Sequence, residues 1–222
     1  MESIKKQIKG ERFFFDKSGS IFLEKLNTLI FSDLHLGKSL SFANQGNLIP
    51  PFDLDETLLN LEYVINKYNP KRLISLGDSF HENSSIQNMK RKYIDIINNL
   101  FHKTDITWIE GNHDSNILFK NQLVGSFKNF YKLKNFKFVH SKSEINDVNI
   151  FEFSGHYHPK ISLKFNGLIY SYKCFILTEN FCILPSFGTF TGGLDIKSNV
   201  LQKILPINKQ IIILGNNVVK EI

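Results

Sequence analysis

The stretch "TLIFSDLHLG", Thr28 to Gly37, places a short apolar run directly before an aspartate and a histidine. Runs that break into polar residues in this way are typical of buried strands. Four further stretches follow the same plan: "RLISLGD" (Arg72 to Asp78), "ITWIEGNHD" (Ile106 to Asp114), "FKFVHS" (Phe136 to Ser141) and "NIFEFSGH" (Asn149 to His156). We therefore expect five strands whose C-terminal ends carry polar side chains.

Two helices are predicted between the first three of these strands. Apolar residues recur at helical spacing from Asp53, which with Glu56 resembles a capping box, and Pro70 ends the pattern. A second helix is predicted from a cap at Ser85 through Leu100. Alternating strands and helices indicate parallel pairing, whereas the later segments are typical of antiparallel strands. Open α/β sheets place ligand sites at the C-terminal ends of their strands.

Composition is consistent with one domain spanning residues 1–222, with 42% hydrophobic residues available for a core. The net charge of +6 suits a polyanionic partner such as nucleic acid, but the lysines are dispersed, so a solvated surface explains them equally well. No secretory signal or membrane-spanning run is visible, and Cys174 and Cys182 are expected to be buried thiols. We expect a soluble, cytoplasmic protein with no membrane partner.

The predicted strand ends carry oxygen and imidazole ligands and no thiolate. These candidate metal ligands are Asp33, His35, Asp78, Asn112, His140, His156 and His158. Singly, each has an ordinary interpretation as a helix cap, a turn residue or a core histidine. Together they are enough for two metal ions if one carboxylate bridges them, and the donor types suit Mn²⁺, Fe or Zn²⁺.

The pair His156 and His158 has its own expected geometry. Residues two apart in an extended segment point to the same side, so both imidazoles are expected to face the metals while Tyr157 faces away. Their backbones would lie about 6–7 Å apart. The two histidines are therefore expected to bind different ions.

The blocks "SDLHLG", "LGDSFH", "EGNHD", "FVHS" and "SGHYHP" resemble, in order, the five motifs of calcineurin-like metallophosphoesterases. The resemblance implies an α/β fold, a four-layer αββα sandwich of two mixed β-sheets flanked by helices. The core motifs would span residues 28–194 and further strands residues 195–222. The resemblance also implies two divalent metal ions, Mn²⁺ first and Fe or Zn²⁺ as alternatives. It assigns Asp33, His35, Asp78 and His158 to one ion and Asp78, Asn112, His140 and His156 to the other, with Asp78 bridging.

Such a centre activates water to attack phosphorus, and the departing alkoxide then needs a proton. His113, in the "GNHD" block, is the expected general acid and phosphate contact. Asp114 either orients that imidazole or serves as a turn or cap residue. Asn112, Lys38 and His81 are further candidate contacts to the substrate phosphate. Lys38 is otherwise a solvated lysine, and His81 is otherwise a surface residue at a helix start.

A closer resemblance is to the ligase-associated phosphoesterases known as PdeM. It rests on "SDLHLGKSLSF", "PPFDLDETLLNL", "GHYHPKI" and "LPSFGTFTGGLD", between Leu29 and Leu194. It implies a DNA-repair phosphodiesterase or nuclease associated with DNA ligase and helicase. Without the resemblance, "SFGTFTGG" indicates a glycine-bent turn that closes the sheet near the site. His81 departs from some relatives, which keep an acidic residue there, and the tail after Leu205 matches no motif.

Three functions are weighed. The first is a dinuclear-metal phosphodiesterase acting on DNA. The second is a phosphatase or pyrophosphatase acting on a nucleotide or a nucleotide-linked lipid, although the sequence shows no obvious apolar insertion for acyl chains. The third is a non-catalytic interaction module, which is disfavoured because all seven ligands and His113 are present.

Overall fold

The computed structural model describes residues 2–44, 46, 52–144, 147–215 and 218–222, and its core is formed by two β-sheets packed face to face. Pro50 and Pro51 of the stretch "PPFDLDETLLNL" lie outside the described residues. Both sheets are mixed, as the sequence predicts.

The first sheet has seven strands in chain order, antiparallel up to its fourth strand and parallel from there. The strands are β1 (Ser3–Ile8), β2 (Glu11–Asp16), β3 (Ile21–Leu23), β4 (Thr28–Phe31), β5 (Arg72–Ser75), β6 (Asp105–Ile109) and β7 (Ser126–Lys128). The first three of these strands, which precede Thr28, were not predicted from the sequence. Phe13 and Phe15 alternate into the core at 0% exposure, but the charged residues that flank the phenylalanine run concealed this pattern.

The second sheet has eight strands, and parallel pairs with β9 and β13 flank its central strand β10. The strands are β8 (Phe130–Leu133), β9 (Phe136–Val139), β10 (Phe151–Ser154), β11 (Lys160–Phe165), β12 (Leu168–Leu177), β13 (Phe181–Ile183), β14 (Gln210–Leu214) and β15 (Val219–Glu221). The predicted antiparallel character of the later strands is confirmed for the pairs that β11 to β15 form with one another, whereas β13 also pairs in parallel with β10. The unmatched tail after Leu205 supplies the last two strands.

The first predicted helix is present as α2 (Asp53–Tyr68), which follows a short helix α1 (Lys38–Asn44). The capping box is wrong, because Phe52 occupies the N-cap and no side chain caps the helix. The Asp53 carboxylate instead accepts a hydrogen bond from the amide of Ser39, at 3.0 Å, and so ties α2 to α1. The helix ends at Asn69, in the left-handed conformation, directly before Pro70.

The second predicted helix is broken into α3 (Ser85–Asn88) and α4 (Arg91–Phe101). Met89 and Lys90 between them are extended, with ψ of 136° and 139°. Ser85 does not cap a helix; its hydroxyl accepts the amide of Glu82 at 3.0 Å. Ser85 and Met89 lie beside Gly37, where an added Cβ would make ordinary contacts with their side chains at 3.5 and 3.8 Å, while α4 packs on the sheet.

The core between the sheets is largely phenylalanine. The Phe153 ring lies 5.0–6.0 Å, centroid to centroid, from those of Phe13, Phe136, Phe138 and Phe151. Helices α2 and α4 cover the outer face of the first sheet. The outer face of the second sheet is covered more thinly, by the short helix α5 (Asn199–Ile204) through Leu201. The predicted αββα sandwich is therefore confirmed, with one thin helical layer.

Two further predictions made from the sequence, on membrane-spanning segments and on the two cysteines, can be compared with the structure. Within the described residues, no helix has both the length and the apolar character needed to cross a membrane. Cys174 and Cys182 are buried and unpaired, as expected. Burial raises the pKa of the Cys174 thiol to about 12, which keeps it in the unreactive protonated form.

Candidate metal centre

The candidate ligands lie in loops that follow strands of both sheets, and backbone hydrogen bonds tie these loops together. The amide of Asp33 donates to the Gly77 carbonyl at 3.1 Å, and the amide of His35 donates to the Asp78 carbonyl at 3.0 Å. On the second sheet, the amide of Gly155 donates to the His140 carbonyl at 2.9 Å. The strand ends therefore meet at one edge of the sandwich, as predicted.

The first ligand group consists of Asp33, His35 and His158, whose donor atoms lie within 4.8 Å of one another. His158 Nε2 is 3.2 Å from Asp33 Oδ1 and 3.2 Å from His35 Nε2. Ligands about 2.1 Å from a shared ion lie about 3–3.4 Å apart at ordinary coordination angles. The separations therefore match those of donors that share one ion.

The second ligand group consists of Asp78, His140 and His156. His140 Nε2 is 3.4 Å from Asp78 Oδ2 and 3.1 Å from His156 Nδ1. His140 Nδ1 also lies 3.9 Å from Asp33 Oδ1, so the two groups are adjacent. Two adjacent sets of oxygen and nitrogen donors fit a dinuclear metal centre. Asp78 falls in the second group only, so its bridging role stays a prediction.

Most of these ligand residues have a backbone conformation that side chains rarely adopt. Five of the seven have positive φ between 45° and 73°: Asp33, His35, Asp78, His156 and His158. Such residues cost about 1–3 kcal/mol each and concentrate at functional sites. These left-handed turns allow ligand atoms from residues close together in the sequence to point towards the same centre within very short loops.

The expected geometry of His156 and His158 is therefore partly wrong. Both have positive φ, 73° and 45°, so the segment is a turn and not an extended strand. They still belong to different ligand groups, as predicted, because the turn aims them apart. The Tyr157 hydroxyl is within hydrogen-bond distance of the Ser141 hydroxyl, 3.2 Å away.

The structure explains why the residue before Asp78 is a glycine, Gly77. Its φ is +89°, and a Cβ built on it would lie 2.4 Å from His140 Nδ1. That nitrogen is 2.9 Å from the Leu76 carbonyl, an acceptor for its proton. When Nδ1 donates its proton to this carbonyl, Nε2 is left facing Asp78 and His156. Metal-binding histidines are commonly oriented by a hydrogen bond of this kind from the ring nitrogen that does not bind the metal.

The electrostatics of the pocket favour a bound cation. Burial opposes the charge of Asp33, yet contact with His158 holds the pKa of Asp33 below its usual range. Burial also disfavours a charged His140, but the hydrogen bond to Asp78 and the charge of Asp33 raise the pKa of His140 to about 9. A proton on His140 thus partly balances two buried carboxylates. A metal ion would take over that role and release the proton.

His35 has the protonation state that a ligand needs. Burial lowers the pKa of His35 to about 3, so its imidazole is neutral. Its Nδ1 is buried and makes no hydrogen bond within the described part of the chain. Burial also lowers the pKa of His156. The donors present therefore fit two divalent ions.

The "GNHD" block lies at the rim of the centre. The amide of His113 donates to Asp78 Oδ1 at 2.9 Å, and the exposed imidazole of His113 lies 5.4 Å from that of His35, centroid to centroid. Asn112 is also exposed, and its role as a ligand stays a prediction.

Asp114 does not orient His113. The buried carboxylate accepts the amides of Gly111, Ser79 and Phe80, at 2.6, 2.7 and 3.3 Å. The placement of Asp114 among the catalytic residues is corrected accordingly, because both of its oxygens hold backbone. Asp114 is the turn residue that joins the "GNHD" loop to the Asp78 loop.

His81 is part of the site and not a surface residue. Its ring stacks on that of His113 at 5.5 Å and 16°, and the Phe42 ring lies 5.8 Å away on α1. Burial lowers the pKa of His81, and the positive charge of Lys38 acts in the same direction. Phe42 could not be predicted from the sequence, because a lone aromatic in a short helix is indistinguishable from a core residue.

The predicted turn "SFGTFTGG" does close the sheet beside the centre. We call residues 185–194 the closing loop. The amides of Phe187 and Gly188 donate to the carbonyls of Ser32 and Asp33, at 2.8 and 3.1 Å. A Cβ on Gly188 would lie 2.1 Å from the Leu34 carbonyl oxygen, so only glycine permits this approach.

Lys173 of β12 fixes the closing loop from the other side. Its ammonium group donates to the carbonyls of Ser186 and Gly188, at 2.8 and 2.9 Å. Burial lowers the pKa of Lys173 to about 8. This role of Lys173 could not be predicted from the sequence, because only the pairing of β12 with its neighbours places the lysine within hydrogen-bond distance of the closing loop.

Comparisons with known proteins agree with this architecture. The family model described as calcineurin-like phosphoesterase matches residues 26–216. The structure of Pseudomonas putida nuclease MPE superposes with a TM-score of 0.76 at 20% identity, covering 99% of this chain and 100% of that chain. At that identity the likeness shows the fold alone.

Two further solved structures overlap less closely. The E. coli phosphoesterase Yfce has a TM-score of 0.43 at 15% identity, covering 88% of this chain and 97% of that chain. Vacuolar Protein Sorting 29 from Cryptosporidium parvum has a TM-score of 0.36 at 14% identity, covering 88% and 94%. No curated protein matches the chain by sequence.

Replacing Gly77 by alanine should weaken metal binding by about 10–100-fold, the usual effect of disturbing a second-shell contact. The new methyl group would displace His140 from its place beside Asp78. Gly10→Ala is the matched control, because Gly10 also has positive φ, +78°, but has nothing within 4 Å. Isothermal titration with Mn²⁺ measures the effect. Equal Mn²⁺ affinity in the two variants would contradict this role of Gly77.

Lys173 should make the metal-free protein more stable as the pH rises from 8 to about 10. Its pKa in the folded protein, about 8, lies below the ordinary lysine value of 10.5, so unfolding takes up a proton in this range. The free energy of unfolding of the wild type, relative to Lys173→Met, should increase by roughly 1 kcal/mol per pH unit. Urea unfolding followed by circular dichroism in EDTA measures this difference. Parallel curves for the two proteins would show that Lys173 is not desolvated.

Proposed function

We propose that this chain, which belongs to the calcineurin-like phosphoesterase family, hydrolyses phosphodiester bonds in DNA with two divalent metal ions. It is a metal-dependent phosphoester hydrolase by family. The observation that carries the proposal is the pair of adjacent, largely buried ligand groups. The stacked rings of His113 and His81 lie next to them and are free to contact a phosphoester.

Asp33, His35 and His158 would hold one ion, and Asp78, His140 and His156 the other. Asn112 would complete the second set, and Asp78 would bridge. When bound, two such ions polarise a phosphoryl group and lower the pKa of water. The donors are carboxylate and imidazole without thiolate, which supports Mn²⁺ and leaves Fe and Zn²⁺ as alternatives.

His113 would donate the proton that the leaving oxygen requires. Its backbone is fixed by Asp78 Oδ1 at 2.9 Å, while its exposed imidazole can reach a substrate. His81 supports that imidazole by stacking and would itself contact a phosphate oxygen. Asp114 holds backbone amides, and among the described residues no carboxylate is hydrogen-bonded to the imidazole of His113, so this acid–base group would act without a carboxylate partner from that part of the chain.

DNA is favoured as the substrate by two facts. The chain carries a net charge of +6, which suits a polyanion. The P. putida protein that shares its fold is named a nuclease. The role in DNA repair and the association with DNA ligase and helicase rest on the resemblance to ligase-associated phosphoesterases. The cytoplasmic location rests on the sequence pattern alone, and all three are part of this proposal.

A second candidate substrate, a nucleotide-linked lipid, is supported by one feature of the fold. The tip of the β11–β12 hairpin exposes Phe165, Leu168 and Ile169, at 67%, 61% and 74%. The tip is not an insertion of the kind that the sequence analysis looked for, but it is a small exposed apolar surface that an acyl chain could contact.

Purified protein should hydrolyse a bis-nitrophenyl phosphate diester in Mn²⁺ and lose this activity in EDTA. A panel under the same conditions would then compare single-stranded DNA, duplex DNA, RNA, cyclic nucleotides and a nucleotide-linked lipid. We expect cleavage of DNA, detected by gel electrophoresis of end-labelled strands. Turnover of the lipid or of nucleotides alone would refute the DNA proposal, and no turnover of any phosphoester would refute the activity.

His113→Ala should reduce the cleavage of DNA by about 10²–10⁴-fold, the usual contribution of a general acid. The loss should be smaller with the nitrophenyl diester, because nitrophenolate departs without needing a proton. Bound Mn²⁺, measured by mass spectrometry of the metal, should be unchanged. His102→Ala is the control, because His102 is the one histidine of the seven outside the cluster. Loss of metal from His113→Ala would show that His113 is a ligand.

A further inference from the structure

Three lysines from three different elements converge on the closing loop. Lys38 of α1 donates to the Phe190 carbonyl at 3.0 Å, and Lys160 of β11 donates to the Thr191 carbonyl at 3.3 Å. Lys173 of β12 holds the carbonyls of Ser186 and Gly188. One short loop therefore gathers three positive charges.

These charges have no direct counter-ion within the described residues. Other partly buried lysines of the chain are paired: Lys67 lies 2.7 Å from Asp16, and Lys137 lies 3.0 Å from Glu152. Lys38, Lys160 and Lys173 form no comparable ion pair in the described part of the chain, although Asp53 acts on Lys38 from a greater distance. An ammonium group has three donors, and within the described residues Lys38 and Lys160 each use one.

The loop also offers backbone donors and an aromatic ring. Among the hydrogen bonds of the described residues, none uses the amides of Gly192 and Gly193. A Cβ on Gly192 would meet nothing within 4 Å, so its surroundings are open. Phe190 is 54% exposed, in the left-handed conformation at φ 54°. Unused amides beside a residue of this conformation form anion-binding concavities, and exposed aromatic rings stack on bases.

The closing loop lies directly against the first ligand group. Its Gly188 amide donates to the Asp33 carbonyl at 3.1 Å, and its Leu194 amide donates to the Tyr157 carbonyl at 3.3 Å. At Gly193, an added Cβ would lie 2.3 Å from the His158 carbonyl oxygen. The loop is therefore a direct neighbour of any substrate bound at the metals on this side of the centre.

We infer that the closing loop is a phosphate-binding subsite of its own, which holds a backbone phosphate of single-stranded DNA next to the scissile one. Lys38, Lys160 and the amides of Gly192 and Gly193 contact the phosphate, and Phe190 stacks on the adjoining base. Lys173 positions the loop and does not touch the substrate. The inference rests on the proposed function, because the subsite is useful only to a substrate with more than one phosphate.

The subsite is tested first without metal. Binding of a fluorescent single-stranded oligonucleotide is measured by anisotropy in EDTA for Lys38→Gln, Lys160→Gln and Phe190→Ala. Each lysine variant should bind up to about tenfold more weakly at low salt. The slope of log affinity against log salt should fall by about 0.7 per lysine. Lys103→Gln, an exposed lysine outside the site, is the matched control and should change the affinity little.

The subsite is tested next in the Mn²⁺ enzyme. The ratio of kcat/KM for the oligonucleotide to kcat/KM for the nitrophenyl diester should fall about tenfold in each lysine variant, mainly through KM. Phe190→Tyr should keep the ratio that Phe190→Ala loses, because both aromatic rings stack. A lysine that only braced the loop would instead lower both activities and the melting temperature together, with no change in salt slope.

The outcomes separate the two proposals. Cleavage of DNA with unchanged KM and salt slope in the lysine variants would overturn the subsite and leave the proposed function standing. Absence of DNA cleavage by the wild type, with the nitrophenyl diester still hydrolysed, would overturn both.

Discussion

The burial of two carboxylates, Asp33 and Asp78, in adjacent loops is the constraint on which the rest of the site depends. Their exposures are 0% and 3%, and carboxylates removed from water are costly unless positive charge is placed beside them. Histidines supply part of that charge, and the raised pKa of His140 shows that the two carboxylates stabilise its protonated form. Because two ligand groups share the pocket, divalent cations satisfy the same demand better than protons do.

This constraint explains the backbone as well as the side chains. Asp33 and Asp78 can be brought close only if very short loops turn sharply, and both residues have positive φ. Glycines permit the close approach at two of these turns: Gly77 precedes Asp78, and Gly155 lies where a Cβ would be 1.6 Å from the Ser32 hydroxyl oxygen. The strain is held by two sheets packed through rings such as Phe153. A rigid framework of this kind keeps strained loops in one conformation.

The sequence predicted the parts that follow from local pattern. An apolar run that ends in Asp or His marks a strand and a ligand together, so the positions of Asp33, Asp78 and His140 could be read directly. Contacts between distant segments left no such pattern. The break at Met89 could not be read from the apolar spacing, because Ile86 of α3 and Ile94 of α4 belong to the same buried cluster. The partners of Asp114 are amides of another loop, and backbone amides carry no sequence signal.

The residues that determine the chemistry likewise differ from those that determine the choice of substrate. A dinuclear centre acts on the phosphoryl group common to every phosphoester, so its ligands carry no information on the rest of the molecule. That information must lie in groups that touch the neighbouring parts of the substrate, and Lys38 and the closing loop are placed to do so. The loop is also bonded to the Asp33 backbone through Gly188. On its other side, the amide of Leu194 donates to the Tyr157 carbonyl, next to His158. A strand held on the loop, as proposed, would therefore lie against the same backbone that positions the first ligand group.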